Sequence, residues 1–160
     1  MAEAEKVMDK EKVIRLLKFF PDIDEEIRAL KNAVTDLEQC YNPLSGMLYD
    51  NISKSNYYTD SQTEKIAMNI PDYVREEIKA YQVRIETLQK VKIEILREAS
   101  RLKLKHKKVI FDFYFHNMKW ENVAERTNYS DRQCKNIRDE ALSKLLEGFK
   151  KNKVLTEYNK

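Results

Sequence analysis

Apolar and charged positions alternate at a helical period almost from the first residue. Val7, Val13, Ile14, Leu17 and Phe20 form a broad stripe that predicts a helix from about Glu3 to Phe20. Pro21 is expected to break it. A second helix is predicted from Asp22, with Asp24, Glu25 and Glu26 in its first turn, where the helix dipole favours acids. Its apolar residues Ile23, Ile27, Leu30, Val34, Leu37 and Tyr41 alternate steps of four and three, which is a heptad seam. Residues 42–61 hold Pro43, Gly46 and four serines and read as a loop. A short helix, about Gln62 to Asn69, should stop before Pro71.

From Asp72 to about Leu104 the period is helical again, and Pro71 suits the first turn of such a helix. Val74, Ile78, Tyr81, Ile85, Leu88, Lys92, Ile95, Ala99 and Leu102 continue the four-and-three stepping, with Lys92 the charged member of the seam. At ~1.5 Å per residue such a rod is about 50 Å long. It must pair with the Asp22–Tyr41 helix, with a second subunit, or with both. The 42–61 loop lets the chain return antiparallel. A seam longer than its partner leaves apolar surface for a homodimer through the long helix.

The pattern tightens after residue 104. Val109, Ile110, Phe113 and Tyr114 share one helical face, flanked by Phe111 and Phe115. Trp120, Val123 and Ala124 face inward on a short helix. Asn128-Tyr129-Ser130 forms a bend, and Asn128 tolerates a left-handed backbone. Ser130 is a strong N-cap, and Gln133 three residues on completes a capping box. In the helix that follows, Cys134, Ile137, Ala141 and Leu145 mark the buried face, with Leu142 less central. Arg132, Asn136, Asp139 and Ser143 centre the opposite one, flanked by Lys135 and Gln133. The expected module core is therefore Phe113, Trp120, Val123, Ala124, Cys134, Ile137, Ala141 and Leu145.

Composition agrees with long helices. Two Gly and three Pro leave few breakers, so an all-β fold is excluded and the expected class is all-α. No apolar run approaches the ~18 residues that span a membrane, so no membrane partner is expected. "MAEAEKVMDKEK" lacks an apolar stretch, and no secretory signal is expected. Cys40 and Cys134 read as reduced, packed thiols of a cytoplasmic protein. The net charge of +3 conceals an asymmetry. Residues 1–100 carry 15 Lys+Arg and 19 Asp+Glu (15 − 19 = −4), and residues 101–160 carry 15 and 8 (15 − 8 = +7). A surface for a polyanion therefore belongs at the C-terminal end.

The chemistry of the last helix fits duplex DNA. Arg matches guanine's two acceptors, and Gln or Asn matches adenine's donor and acceptor. A helix in the major groove offers its N-terminal residues to the bases. Arg132, Gln133, Lys135 and Asn136 are the candidate base readers. Lys107, Lys108, Lys119, Arg126, Ser130 and Arg138 are candidate phosphate contacts, which position without specifying. Lys103 and Lys105 extend the basic run. Bland roles stand beside these. Gln133 serves a cap and a base contact equally well, Lys135 and the Lys103–Lys108 run suit a solvated face, and Arg138 can lean back on the core. His106 and His116 lack an Asp or Cys at metal or triad spacing. No P-loop and no set of nucleophile, base and oxyanion donor emerges. Enzyme activity, metal and cofactor are therefore not expected.

His106–Leu146 resembles region four of bacterial sigma factors, the part that reads the −35 promoter element. The shared features are an aromatic-rich helix, Trp120, Val123-Ala124, the Ser130 cap, Ala141-Leu142 and Leu145. "NMKWENVAERTNY" and "DEALSKLL" also resemble small Firmicute phage and prophage regulators of the ArpU/RinA type. In this chain Lys119 stands where such modules carry a capping Ser or Thr, Asn128 replaces the turn Gly, and Cys134 replaces a β-branched residue.

The resemblance implies a sequence-specific DNA-binding regulator of phage late genes in a bacterial host cell. It implies a recognition helix over 131–146 and host RNA polymerase as a further partner. The expected layout is a helical hairpin over 1–104, a helix-turn-helix over 105–150 and a basic tail over 151–160. Two other readings stay open. One is a small-terminase-like DNA-packaging protein. The other is a region-four-like module that docks on RNA polymerase.

Overall fold

The computed structural model describes residues 7–41 and 70–159; the expected 42–61 loop and the 62–69 helix lie outside the described residues. All regular structure among the described residues is helical. The elements are α1 (Lys10–Phe19), a 3-10 turn (Phe20–Asp22), α2 (Ile23–Cys40) and α3 (Asp72–Ser100). There follow α4 (Leu104–Ile110), a π-helical turn (Phe111–Phe115), α5 (Trp120–Thr127), α6 (Asp131–Lys151) and α7 (Lys153–Glu157). No helix among the described residues is long and apolar enough to cross a membrane.

The chain divides into two compact units, one running up to Asp24 and from Leu88 onward, the other Glu25–Thr87. In the second unit the α2 and α3 segments run antiparallel. Glu26 near the start of α2 meets Arg84 at 3.9 Å, while Tyr41 beyond its end hydrogen-bonds Tyr73 at the start of α3. Ile27, Val74, Ile78 and Ile85 of the seams are buried there. Leu30, Val34 and Leu37 are only half-buried, and Cys40 is exposed, so the expectation of two packed thiols holds for Cys134 alone.

The first unit holds the helix-turn-helix and more besides. Asp9 caps α1, its carboxylate accepting from the Lys12 N–H at 2.7 Å. The helix thus begins at Lys10, with residues 7–9 non-helical and Val7 61 % exposed instead of joining the stripe; the expected start at Glu3 lies outside the described residues. Val13, Leu16, Leu17 and Phe19 are buried, and α1 packs on α6. Pro21 does not break the path. It occupies the first turn of the 3-10 segment, where a missing N–H leaves no bond unmade. Ile23, Leu88, Val91, Ile95 and Ala99 are buried in the same unit. Lys92, the charged residue of the seam, reaches Asp24 at 2.6 Å and lies 5.7 Å from the Phe20 ring centre.

Helix α3 stops at Ser100, short of Leu104, without a Gly or Pro to stop it. The reason is tertiary. Lys103 adopts an extended backbone, and α4 restarts in a direction that seats buried His106, Val109 and Ile110 in the core, with α4 packed on α6. The next five residues, Phe-Asp-Phe-Tyr-Phe, widen into a π turn, closed by the His116 N–H donating to the Phe111 carbonyl at 2.9 Å. The wider turn distributes four aromatic rings over several directions, which the single face expected from sequence does not. Phe115 stacks on Phe20 with centroids 4.0 Å apart, Phe113 stacks on Trp120 at 3.9 Å, and Tyr114 is buried. Asn117 then turns the chain with φ 52.

The basic tail expected over 151–160 is folded through Asn159. Asn152 caps α7, Leu155 is fully buried, and Tyr158 stacks on Phe19. Lys12 Nζ donates to the Thr156 carbonyl at 2.8 Å. Asn152 Nδ2 also donates to Glu94 at 2.6 Å, which fastens the end of α6 to α3.

Candidate nucleic-acid interface

The bend between α5 and α6 is set by three residues. Asn128 closes α5 in the left-handed region at φ 60 and ψ 26. Tyr129 follows, partly exposed, and Ser130 returns to extended backbone at φ −69 and ψ 159. The Gln133 N–H donates to Ser130 Oγ at 3.2 Å, and the Ser130 N–H donates to Gln133 Oε1 at 2.9 Å. This is a complete capping box, and it fixes where α6 begins. At the start of α5, Lys119 is the N-cap residue with no side-chain hydrogen bond.

The buried face of α6 is complete without any of its polar residues. Cys134, Ala141, Leu142, Leu145 and Phe149 are buried to within 1 % and Ile137 to 7 %. Val109, Val123, Cys134 and Ile137 form one cluster, with Phe113, Met118, Trp120 and Ala124 half-buried against it. The helix runs to Lys151, a turn beyond the 131–146 expected.

The candidate polar residues fall into two groups. Arg132, Lys135 and Asn136 are exposed and have no hydrogen-bond or ionic partner among the described residues. At about 100° per residue they share roughly 100° of arc on the first two turns of α6. Lys108 and Lys119 are exposed and Lys107 half-buried, likewise without partners among the described residues. The other candidates are already engaged. Gln133 and Ser130 hold the cap. Arg138 lies over the Trp120 ring at 5.2 Å and bonds Asp139 at 3.0 Å, so it leans back on the module instead of standing clear. Arg126 approaches the buried Asp112 carboxylate at 3.6 Å, and His116 reaches the same carboxylate at 3.6 Å.

Asp112 and the pair His106–Glu140 are the polar residues that sequence reasoning missed. A single acid inside the aromatic run 111–115 was a usable signal, because an acid in such a run is buried only with partners. His106 and Glu140 are 34 residues apart, with no spacing rule to join them. His106 is 1 % exposed, and its Nε2 lies 2.9 Å from Glu140 Oε2. The carboxylate accepts, so Nε2 carries the proton and the buried Nδ1 is left without a partner. That hydrogen bond, with Lys105 nearby, holds the Glu140 carboxyl below its ordinary range. Burial pushes the Tyr114 hydroxyl up.

The arrangement presents a capped helix end whose first two turns carry a guanidinium, an ammonium and a carboxamide with unengaged heads. Further on, the same surface carries exposed Asp139, whereas Glu140 turns to His106 and Lys105 of α4. Among the described residues no group of three or more His, Cys, Asp or Glu is placed to hold a metal ion. No protein-family model, curated protein or solved structure matches the chain.

Proposed function

We propose that this chain is a sequence-specific DNA-binding transcriptional regulator that places α6 in the major groove. One observation carries the reading. The buried face of α6 is complete, while Arg132, Lys135 and Asn136 at its start have no partner among the described residues. A solvated helix face tolerates three such residues, but it does not require an arginine, a lysine and an asparagine together on the first turns of a capped helix. A groove reader needs them there. Arg132 pairs with guanine, Asn136 with adenine, and Lys135 with a guanine edge or a phosphate. Lys107, Lys108 and Lys119 supply phosphate contacts that set the docking angle. Arg126 and Arg138, engaged within the module, support its shape.

With the resemblance of the C-terminal module, this makes the protein a regulator of phage or prophage late genes in the cytoplasm of a bacterial host. A homodimer through α3 fits the reading, because two half-sites multiply specificity. Val74, Ile78, Ile85, Leu88, Ile95 and Ala99 of the expected seam are buried, so the apolar surface left on that helix lies off the seam, at Ile93 and Leu96, 54 % and 40 % exposed. A second reading, docking on host RNA polymerase, is favoured by Asp139. An acid on the turn after the reading residues repels phosphates and suits a protein partner.

The test is selection of bound sequences from random duplex DNA by the wild type, Arg132→Ala and Asn136→Ala. Each variant should lose preference at one position of the motif. A motif unchanged in both removes α6 as the reading element.

A further inference from the structure

Two carboxamides stand on the first turns of α6, and the structure treats them differently. Asn136 has no partner among the described residues. Gln133 is held, with Oε1 turned back to the Ser130 N–H at 2.9 Å. The reciprocal bond, from the Gln133 backbone N–H to Ser130 Oγ at 3.2 Å, closes the box and fixes the backbone from which the carboxamide reaches back. A bidentate contact with adenine needs the oxygen and the nitrogen of one amide edge directed outward together, toward N6–H and N7. With Oε1 directed at its own helix end, that edge cannot be presented. What remains is Nε2, which carries two hydrogens and donates only.

Resting on the DNA-binding reading above, we propose that Gln133 contacts DNA solely as a donor. Its Nε2 recognises a hydrogen-bond acceptor: guanine O6 or N7, thymine O4, or a phosphate oxygen. Adenine recognition by carboxamide then falls to Asn136 alone. The first turns of α6 read one adenine, not two, and Gln133 adds an acceptor preference beside it. Swapping the two carboxamides along the helix is not neutral, although both carry the same functional group.

The variants that test this are Gln133→Glu, Gln133→Ala and Asn136→Ala, with Arg132→Ala as a control for the reading itself. A glutamate at 133 keeps the box, because its carboxylate accepts from the Ser130 N–H, but it has no hydrogen to give. Gln133→Glu should therefore melt close to the wild type and bind DNA about tenfold or more weakly, within the range of a lost base contact. In sequence selection, the position that Gln133→Ala relaxes should hold guanine or thymine in the wild-type motif. If no base position relaxes, single methylphosphonate substitutions along the selected duplex identify the phosphate source. One substitution should then weaken the wild type and leave Gln133→Ala unaffected.

An adenine at the relaxed position, with binding weakened by 7-deaza-adenine there, overturns the proposal. So does unchanged affinity and motif in both Gln133 variants while Arg132→Ala and Asn136→Ala alter the motif. If the wild type selects no sequence at all, the DNA-binding reading fails first and takes this inference with it.

Discussion

At the scale of single residues, engagement matters more than identity. Arg132 and Arg138 are six residues apart on one helix, yet one has no partner among the described residues and the other lies on Trp120. Two titrating groups make the point measurable. The bond from His106 holds the Glu140 carboxyl below the ordinary 4.5, with Lys105 adding to it. A carboxyl lowered on folding stabilises the fold above its unfolded pKa, and that contribution disappears as pH falls through the folded value. His106→Phe should raise the Glu140 pKa toward 4.5 and flatten the acid limb of the stability curve below it, read by NMR titration and acid denaturation. An unmoved Glu140 pKa would mean the bond does not hold the group. Tyr114 has the opposite sign. Burial raises its hydroxyl above 10.0, so its contribution is present below that pH and lost as pH climbs through the folded value. Tyr114→Phe should abolish the part of alkaline unfolding above about pH 10 that comes from this ionisation. The same alkaline midpoint in both proteins would assign it to another group.

At the scale of elements, local signals were readable and long-range ones were not. The Ser130–Gln133 box, the left-handed Asn128 and the four-and-three seam through Ile95 and Ala99 all depend on neighbours within a few turns, and each stands where the spacing placed it. The π turn over Phe111–Phe115 escaped because five consecutive bulky or acidic residues satisfy an α-helical face and a widened turn alike. The break at Ser100 escaped because its cause is the seating of α4 on α6 side chains far along the chain, such as Glu140, 34 residues from His106. The stripe on α1 missed Leu16 and Phe19 for the same reason: their partners lie at the far end of the chain. The C-terminal segment gives the sharpest case. Its charges suggest a solvated tail, but buried Leu155 in a capped short helix, the Phe19–Tyr158 stack and the Lys12–Thr156 bond dock it. Leu155→Ala should cost about 2–5 kcal/mol, the range for a buried leucine truncation. Urea unfolding with an unchanged midpoint would return residues 151–159 to the status of a tail.

At the scale of the whole molecule, the unit carrying the proposed interface is built from both ends of the chain. Helix α1 packs on α6, and α7 folds back beside it, so α6 is supported by segments outside residues 105–150. Lys107, Lys108, Lys119 and Lys135 are cations without partners among the described residues. If all four meet phosphate or displace counterions, binding should fall with salt at a log–log slope near −3.6, about −0.9 for each contact. Lys119→Ala should reduce the slope by roughly one and leave the selected motif intact. Negligible binding to promoter-length duplex at low salt would favour the polymerase-docking reading instead.

The stack of Phe113, Trp120 and Arg138 has one more consequence. Trp120 is the only tryptophan of the chain; the Phe113 ring stacks on it at 3.9 Å, and the Arg138 guanidinium of α6 lies over it at 5.2 Å. The protein therefore contains its own optical label at the joint between α5 and α6. A tilt of α6 that lifts Arg138 from the indole alters the polarity that the excited state senses, and the emission shifts without any dye or engineered site. Excitation at the red edge of the absorption band, where tyrosine is silent, isolates that signal from the nine tyrosines of the chain. Movement of α6 can be followed in the native sequence, in real time and at low protein concentration.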